Sequence, residues 1–195
     1  MKWNEHSRYE GQHAMFPASR PSWLNYDDAH VFEYCDLVKA KERGTRLHKF
    51  AQDCIELGEG LPKKPVTTLR LYVNDAIRYN MKPETVLFYS KYFFGTTDSI
   101  SFSNDILRIH DLKTGLTPAS MKQLEIYAAL FCLEYKKRPG EIAIELAIYQ
   151  TAVDEDGYYA DIDAEQPEPQ VIAHHMDQIV TLDKWLKRFK GEYNE

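Results

Sequence analysis

VLFYSKYFFGTTDSISFSNDILRIHDLKT, residues 86–114, decides the fold. Aromatic and β-branched residues dominate it, and its apolar positions recur with a period of two, so it predicts successive strands. Ser103–Asn104–Asp105 is a turn between ISF and ILRIHDLKT. In the strand after that turn, Leu107, Ile109, Asp111 and Lys113 alternate onto one face. Its apolar half belongs to a core, and its end presents a carboxylate and an ammonium side by side. Asp98, which follows Gly95-Thr96-Thr97, is expected at the start of the preceding strand. A tight antiparallel turn can bring Asp98 and Asp111 to one end of a sheet.

On the N-terminal side, residues 1–28 read as an irregular leader arm, with Pro17, Pro21 and many polar residues. A helical pattern runs from Ala29 to about Leu57, in two pieces broken near Gly44, with Leu47, Phe50, Ala51 and Cys54 on one face and His48 beside them. GEGLPKKP, residues 58–65, is a loop, and Thr67 or Thr68 caps a helix to about Tyr79. On the C-terminal side, Gly115 and Pro118 punctuate the exit, and Ser120 can cap an amphipathic helix from 120 to about 136. EIAIELAIYQ is a strand, GYYADI follows the turn at Asp156–Gly157 as another, and Pro167 and Pro169 precede a last helix and tail over 169–195. The predicted order, α α β β β α β β α, is a mixed α/β domain with a central sheet, spanning 1–195 as one unit.

The chain has 195 residues, 44% hydrophobic and 28% charged, enough to bury a core and ordinary for a globular protein. There is no apolar run of the length, about 20 residues, that crosses a bilayer. The N-terminal MKWNEHSRYEGQHAMFP lacks the apolar stretch of a signal peptide, so the expectation is a cytoplasmic protein without a membrane partner. Cys35, Cys54 and Cys132 are widely spaced with no CxxC pair, which argues against a disulfide framework, a zinc site or an iron–sulfur cluster. Formal net charge is −6, but it is segregated: between Pro139 and Asp183 there are 11 acids and no Lys or Arg, leaving 24 basic and 19 acidic residues, a net of +5, elsewhere. That pattern suits an anionic partner or, equally, a solvated acidic flank.

Two carboxylates held close together repel and favour a cation between them. Asp98, Asp111 and the backbone carbonyl of Leu112 are hard oxygen ligands of the kind that suit Mg²⁺ or Mn²⁺. Lys113, on the face of Asp111, can hold or help deprotonate a water near such an ion. Alone, the D-x-K spacing equally describes an edge-strand salt bridge worth about 0–1 kcal/mol.

Four segments occur in order: G44-T-R-L-H48, G95-T-T-D98, D111-L-K113 and Q123-L-E-I-Y127. Together they resemble the PD-(D/E)XK nuclease superfamily in its RecB-like branch, which includes phage-encoded and CRISPR-associated exonucleases. The motifs cover residues 44–130, and ASRPSWLNY and IELAIYQ…HHMDQIVTLDKW also look like phage or prophage members. The resemblance implies a restriction-endonuclease-like fold, with a mixed central sheet flanked by helices. It implies Asp98 and Asp111 as metal ligands, Lys113 as the catalytic lysine, and His48 joining the metal shell. Gln123 and Tyr127, one helical turn apart and so on one face, would support the site and the substrate. The implied activity is a Mg²⁺- or Mn²⁺-dependent deoxyribonuclease, most simply an exonuclease of phage recombination or DNA processing, leaving a 5′ phosphate. DNA is the implied substrate, a single-strand annealing protein a possible partner, an oligomer a possible assembly, and the host bacterial cytoplasm the implied location. Position 111 is Asp where many relatives carry Glu, and the cysteine cluster of the iron–sulfur subgroup is missing, so no cluster is expected.

Each residue has a plainer reading. His48 can pair with Asp53 or Glu42, Tyr127 can be core with its hydroxyl at the edge, and Gln123 can be a solvated helix residue. Arg108 and His110 point away from Asp111, to a solvated face or a salt bridge. Glu84 is a candidate accessory acid outside the site set. The basic clusters at 39–46 and 184–190 can face DNA or simply solvent, and His174-His175 diverge on a helix. The alternative function is a catalytically silent DNA-binding or assembly protein on a nuclease fold; a metal-free scaffold would leave Asp98 and Asp111 apart.

Overall fold

The computed structural model describes residues 14, 16–19, 21–117 and 119–191. Most of the leader, Pro118 and the last four residues of the tail lie outside the described residues. The chain divides into two compact units, Met1–Arg43 and Gly44–Glu195.

The first unit contains a 3₁₀ turn, Pro21–Asn25, and the beginning of helix α1, Asp28–Leu57. Asp27 caps that helix by accepting from the His30 amide at 2.9 Å. Phe16 packs against Trp23, Tyr26 and Tyr34 with ring centroids 5.3–6.5 Å apart. The Trp23 indole donates to the Pro17 carbonyl at 3.0 Å.

The second unit holds the remainder of α1, then α2 (Thr68–Arg78), β1 (Lys82–Ser90), β2 (Phe93–Ser103), β3 (Ile106–Lys113), α3 (Lys122–Glu134), β4 (Ala143–Asp154), β5 (Gly157–Glu165) and α4 (Pro169–Phe189). This is the predicted order. The five strands form one mixed sheet in sequence order, antiparallel except for β3 and β4. That parallel pair requires a crossover, which α3 supplies.

Alternation along the inner strands explains the layering. Leu107 and Ile109 of β3 and Leu146 and Ile148 of β4 join one core with Leu124, Ala128, Phe131 of α3 and Ile172, Ile179 of α4. Leu112 of β3 and Ala147 and Tyr149 of β4 join a second core with Ala51, Cys54 and Ile55 of α1 and Tyr72, Val73 and Ala76 of α2. Each strand is therefore apolar on both faces. β5, on the edge, exposes Asp161, Asp163 and Glu165, charges that discourage further strand pairing.

Local signals hold at several turns. Thr67 caps α2, its hydroxyl accepting from the Arg70 amide at 3.2 Å. Asn104 and Asp105 both have positive φ, 52° and 56°, as a two-residue hairpin turn of the I′ kind requires. Three expectations need correction. α1 runs through Gly44 unbroken; the glycine is there because a β-carbon would stand 2.7 Å from the Thr114 hydroxyl, so it serves close packing rather than a break. Asp98 lies inside β2, not at its start. α3 begins at Lys122 with no side-chain cap, although the Ser120 hydroxyl does accept from the Lys122 amide at 3.4 Å.

Candidate metal centre and lysine relay

The β2–β3 register pairs Ser99 with His110. One further step sets Asp98 across from Asp111. The Leu112 amide donates to Oδ2 of Asp98 at 2.8 Å, so the aspartate side chain caps the ladder where the two strands part.

β3 is an inner strand, not an edge, and Asp111 is only 3% exposed. Burial is the main cause that pushes its carboxyl above the ordinary value; the charge of Asp98 adds to this, and Lys113 and His48 oppose it. Lys113 Nζ lies 2.9 Å from Asp111 Oδ2. The same ammonium donates to Gln123 Oε1 at 3.1 Å, and Gln123 Nε2 donates to the Tyr127 hydroxyl at 3.1 Å. Lys113, Gln123 and Tyr127 thus form a continuous relay from β3 to α3. The Tyr127 ring closes over Gly95, where a β-carbon would meet Cε1 at 2.7 Å.

His48, on α1, places Nδ1 3.5 Å from Asp98 Oδ2. Asp53, one alternative partner, binds Lys49 at 2.9 Å instead. The hydrogen bond of His48 to Asp98 holds the imidazole pKa above the usual value against the opposing effect of burial.

Glu84 completes the cluster. It falls between the pairs Pro83–Ser99 and Thr85–Thr97, hence across from Asp98. Its φ is +45°, a left-handed conformation unusual for a glutamate within a strand. His48, Glu84 and Asp98 each offer a ligand atom, and these atoms lie within 4.8 Å of one another. Desolvation first, and then the charge of Asp98, hold the Glu84 carboxyl above its ordinary value. Carboxylates crowded in this way gain from a cation among them. Two carboxylates and an imidazole, with the buried Asp111 beside them, form a group that can hold a metal ion. Sequence reasoning places Glu84 outside the site set, as an accessory acid only. The signal for it was the hairpin count: a turn at residues 90–92 pairs 84 with 98.

The residues on the reverse face are otherwise engaged. Arg108 pairs with Glu145 at 2.6 Å and lies 4.6 Å over the Tyr79 ring. His110 is buried between Tyr79 and Tyr149, and burial pushes its pKa down to about 4, so it is neutral near pH 7. His174 and His175 diverge: His174 is exposed, while His175 pairs with Glu125 of α3 at 3.0 Å.

No helix among the described residues is long and apolar enough to cross a membrane. Comparison with protein-family models and with curated proteins finds no match for this chain.

Proposed function

We propose that the protein is a metal-dependent deoxyribonuclease on a restriction-endonuclease-like fold. The observation that carries this reading is Lys113, tied to Asp111 on one side and to Gln123 on the other, next to the His48–Glu84–Asp98 cluster. An ammonium that only balanced a buried acid would need no second anchor on a helix. Two anchors fix its position and leave its third proton for a water or a phosphate oxygen.

His48, Glu84, Asp98, Asp111 and the Leu112 carbonyl would hold Mg²⁺ or Mn²⁺. When bound, the ion lowers the pKa of a coordinated water and stabilises negative charge on a phosphoryl oxygen. Lys113 holds the attacking water in line with the scissile bond, and its ammonium stabilises charge as the phosphorus–oxygen bond breaks. Gln123 orients Lys113, and Tyr127 in turn orients Gln123. The attacking water gives up a proton to solvent, and the leaving 3′ oxygen takes one from solvent, leaving a 5′ phosphate. The niche that suits such an enzyme is phage recombination or DNA processing, with digestion from an end.

The test is incubation with linear duplex, single-stranded and circular DNA in Mg²⁺, Mn²⁺ or EDTA. Cleavage that requires the metal and disappears in Lys113→Ala supports the enzyme. DNA binding without cleavage in either metal replaces it with a silent DNA-binding protein.

A further inference from the structure

Beyond the metal cluster, β1 and β2 carry a feature that the chemistry of the cluster does not use. From Phe94 to Asp98 the residues of β2 alternate strictly: Gly95 lies under the Tyr127 ring and Thr97 is fully buried, while Phe94 and Thr96 are exposed. On β1, Leu87 is buried, and Val86 and Phe88 are exposed. The register pairs Val86 with Thr96 and Phe88 with Phe94. Paired residues of antiparallel strands share a face. A two-strand ledge therefore leads outward from Asp98 through Val86 and Thr96 to Phe88 and Phe94. The two phenylalanines are 49% and 61% exposed, with ring centroids 6.3 Å apart and planes 31° apart. Rings this exposed, side by side, invite a partner.

The ledge carries few charges of its own, and Glu134 of α3 accepts from the Phe88 amide at 2.8 Å. Residues 85–97 contain no acid, in a chain whose net charge is −6, and their single charged residue is Lys91, 5.1 Å over the Tyr92 ring. Planar apolar groups on strands that also carry a candidate phosphodiester site suit a ligand with planar stacking groups. Phe94 is four residues from Asp98, about 14 Å of strand, which places the rings a few nucleotides from the reacting phosphate.

We infer that Phe88 and Phe94 form a base-stacking platform for unpaired nucleotides, so that the site takes a single-stranded end or a frayed duplex terminus. Bases in an intact duplex keep their faces stacked on one another and cannot use these rings. This inference rests on the nuclease reading and narrows its substrate.

Fluorescence anisotropy in EDTA, with a labelled single-stranded oligonucleotide and a blunt duplex, tests it against the Phe88→Ala/Phe94→Ala variant. Both side chains are exposed, so the variant keeps its fold, checked by circular dichroism. The expected result is a loss of about tenfold per ring in single-strand affinity, restoration by Phe94→Trp, and unchanged duplex binding. 2-Aminopurine in the oligonucleotide should lose fluorescence on binding to the wild type and not to the double variant. Single-strand binding by the wild type that the double variant matches overturns the platform alone. Failure of the wild type to bind or cleave any DNA overturns the nuclease reading and the platform with it. Self-association that the double substitution abolishes assigns the ledge to a second copy of the chain and overturns the inference.

Discussion

The ring of Tyr127 lies so close over Gly95 that a β-carbon at position 95 would stand 2.7 Å from its Cε1. Tyr127 is the far end of the relay that reaches Lys113 through Gln123. The backbone of β2 therefore sets how deep the ring sits, and the ring sets where Gln123 presents its amide. Gly95→Ala forces the ring outward, because a rigid aromatic cannot yield as a flexible side-chain end would. The expected outcome is a loss of about 1–3 kcal/mol of stability, as for other overpacked sites, together with a fall in DNA cleavage. A melting temperature and cleavage rate both equal to wild type would show that the ring is free to move.

Lys113→Ala should separate chemistry from folding. It removes the group proposed to hold the attacking water, so cleavage should fall by about 10²–10⁴, the range for a positioned proton-transfer group. DNA binding should persist. The substitution also strips Asp111 of the ammonium 2.9 Å away, leaving a buried carboxylate beside Asp98. The variant should therefore be less stable than wild type in EDTA, and a divalent ion should close part of that gap. Cleavage at the wild-type rate would remove Lys113 from the mechanism.

Much of this arrangement is legible in the sequence, because it depends on periodicity. The alternation of Leu107, Ile109, Asp111 and Lys113 fixes which side chains share a face, and the Asn104–Asp105 turn fixes the register that brings Asp98 opposite Asp111. What was not legible depends on contacts between distant segments. Nothing local to Gly44 tells a helix break from a close approach to Thr114. Glu84 is a surface-type residue in a polar stretch, and only the left-handed turn of its backbone, which no propensity predicts, accompanies its arrival at the cluster. The sequence allows Arg108 and His110 a solvated face or a salt bridge but cannot choose between them; Glu145 of β4 supplies the salt bridge to Arg108, and Tyr79 and Tyr149, distant in sequence, bury His110.

The cluster itself is testable without DNA. If His48, Glu84 and Asp98 hold a cation, Mn²⁺ should raise the thermal midpoint of the wild type. A hundredfold excess over Kd is worth about 2.7 kcal/mol, or several degrees for a domain of this size. His48→Ala, Glu84→Gln and Asp98→Asn should each reduce the shift. Glu84→Gln should also stabilise the metal-free protein slightly, because it removes repulsion with Asp98. Equal Mn²⁺ shifts in all four proteins would show that the ion binds elsewhere.

The acid limit of stability should be set in part by Asp183 on α4. It is buried, with Oδ1 accepting from the Ser90 hydroxyl at 2.6 Å and Oδ2 2.7 Å from Lys187 Nζ. Burial alone would raise its pKa, but the hydrogen bonds from Lys187 and Ser90 outweigh burial and hold it below the ordinary aspartate value. A carboxyl with a depressed native pKa stabilises the fold above the unfolded value, near pH 4. That contribution drains away as pH falls through the lower native value, because the unfolded chain then binds the proton first. Asp183→Asn keeps the shape and a hydrogen-bonding oxygen but loses the charge. Allowing for the solvent exposure of Lys187, it should cost about 1–2 kcal/mol near pH 7. Urea unfolding of both proteins at pH 7 and at pH 3 measures this difference. The gap should narrow at the lower pH, where the wild-type carboxyl is itself taking up a proton. A gap that is the same at both pH values would mean that Asp183 supports the β1–α4 contact by shape and neutral hydrogen bonding alone.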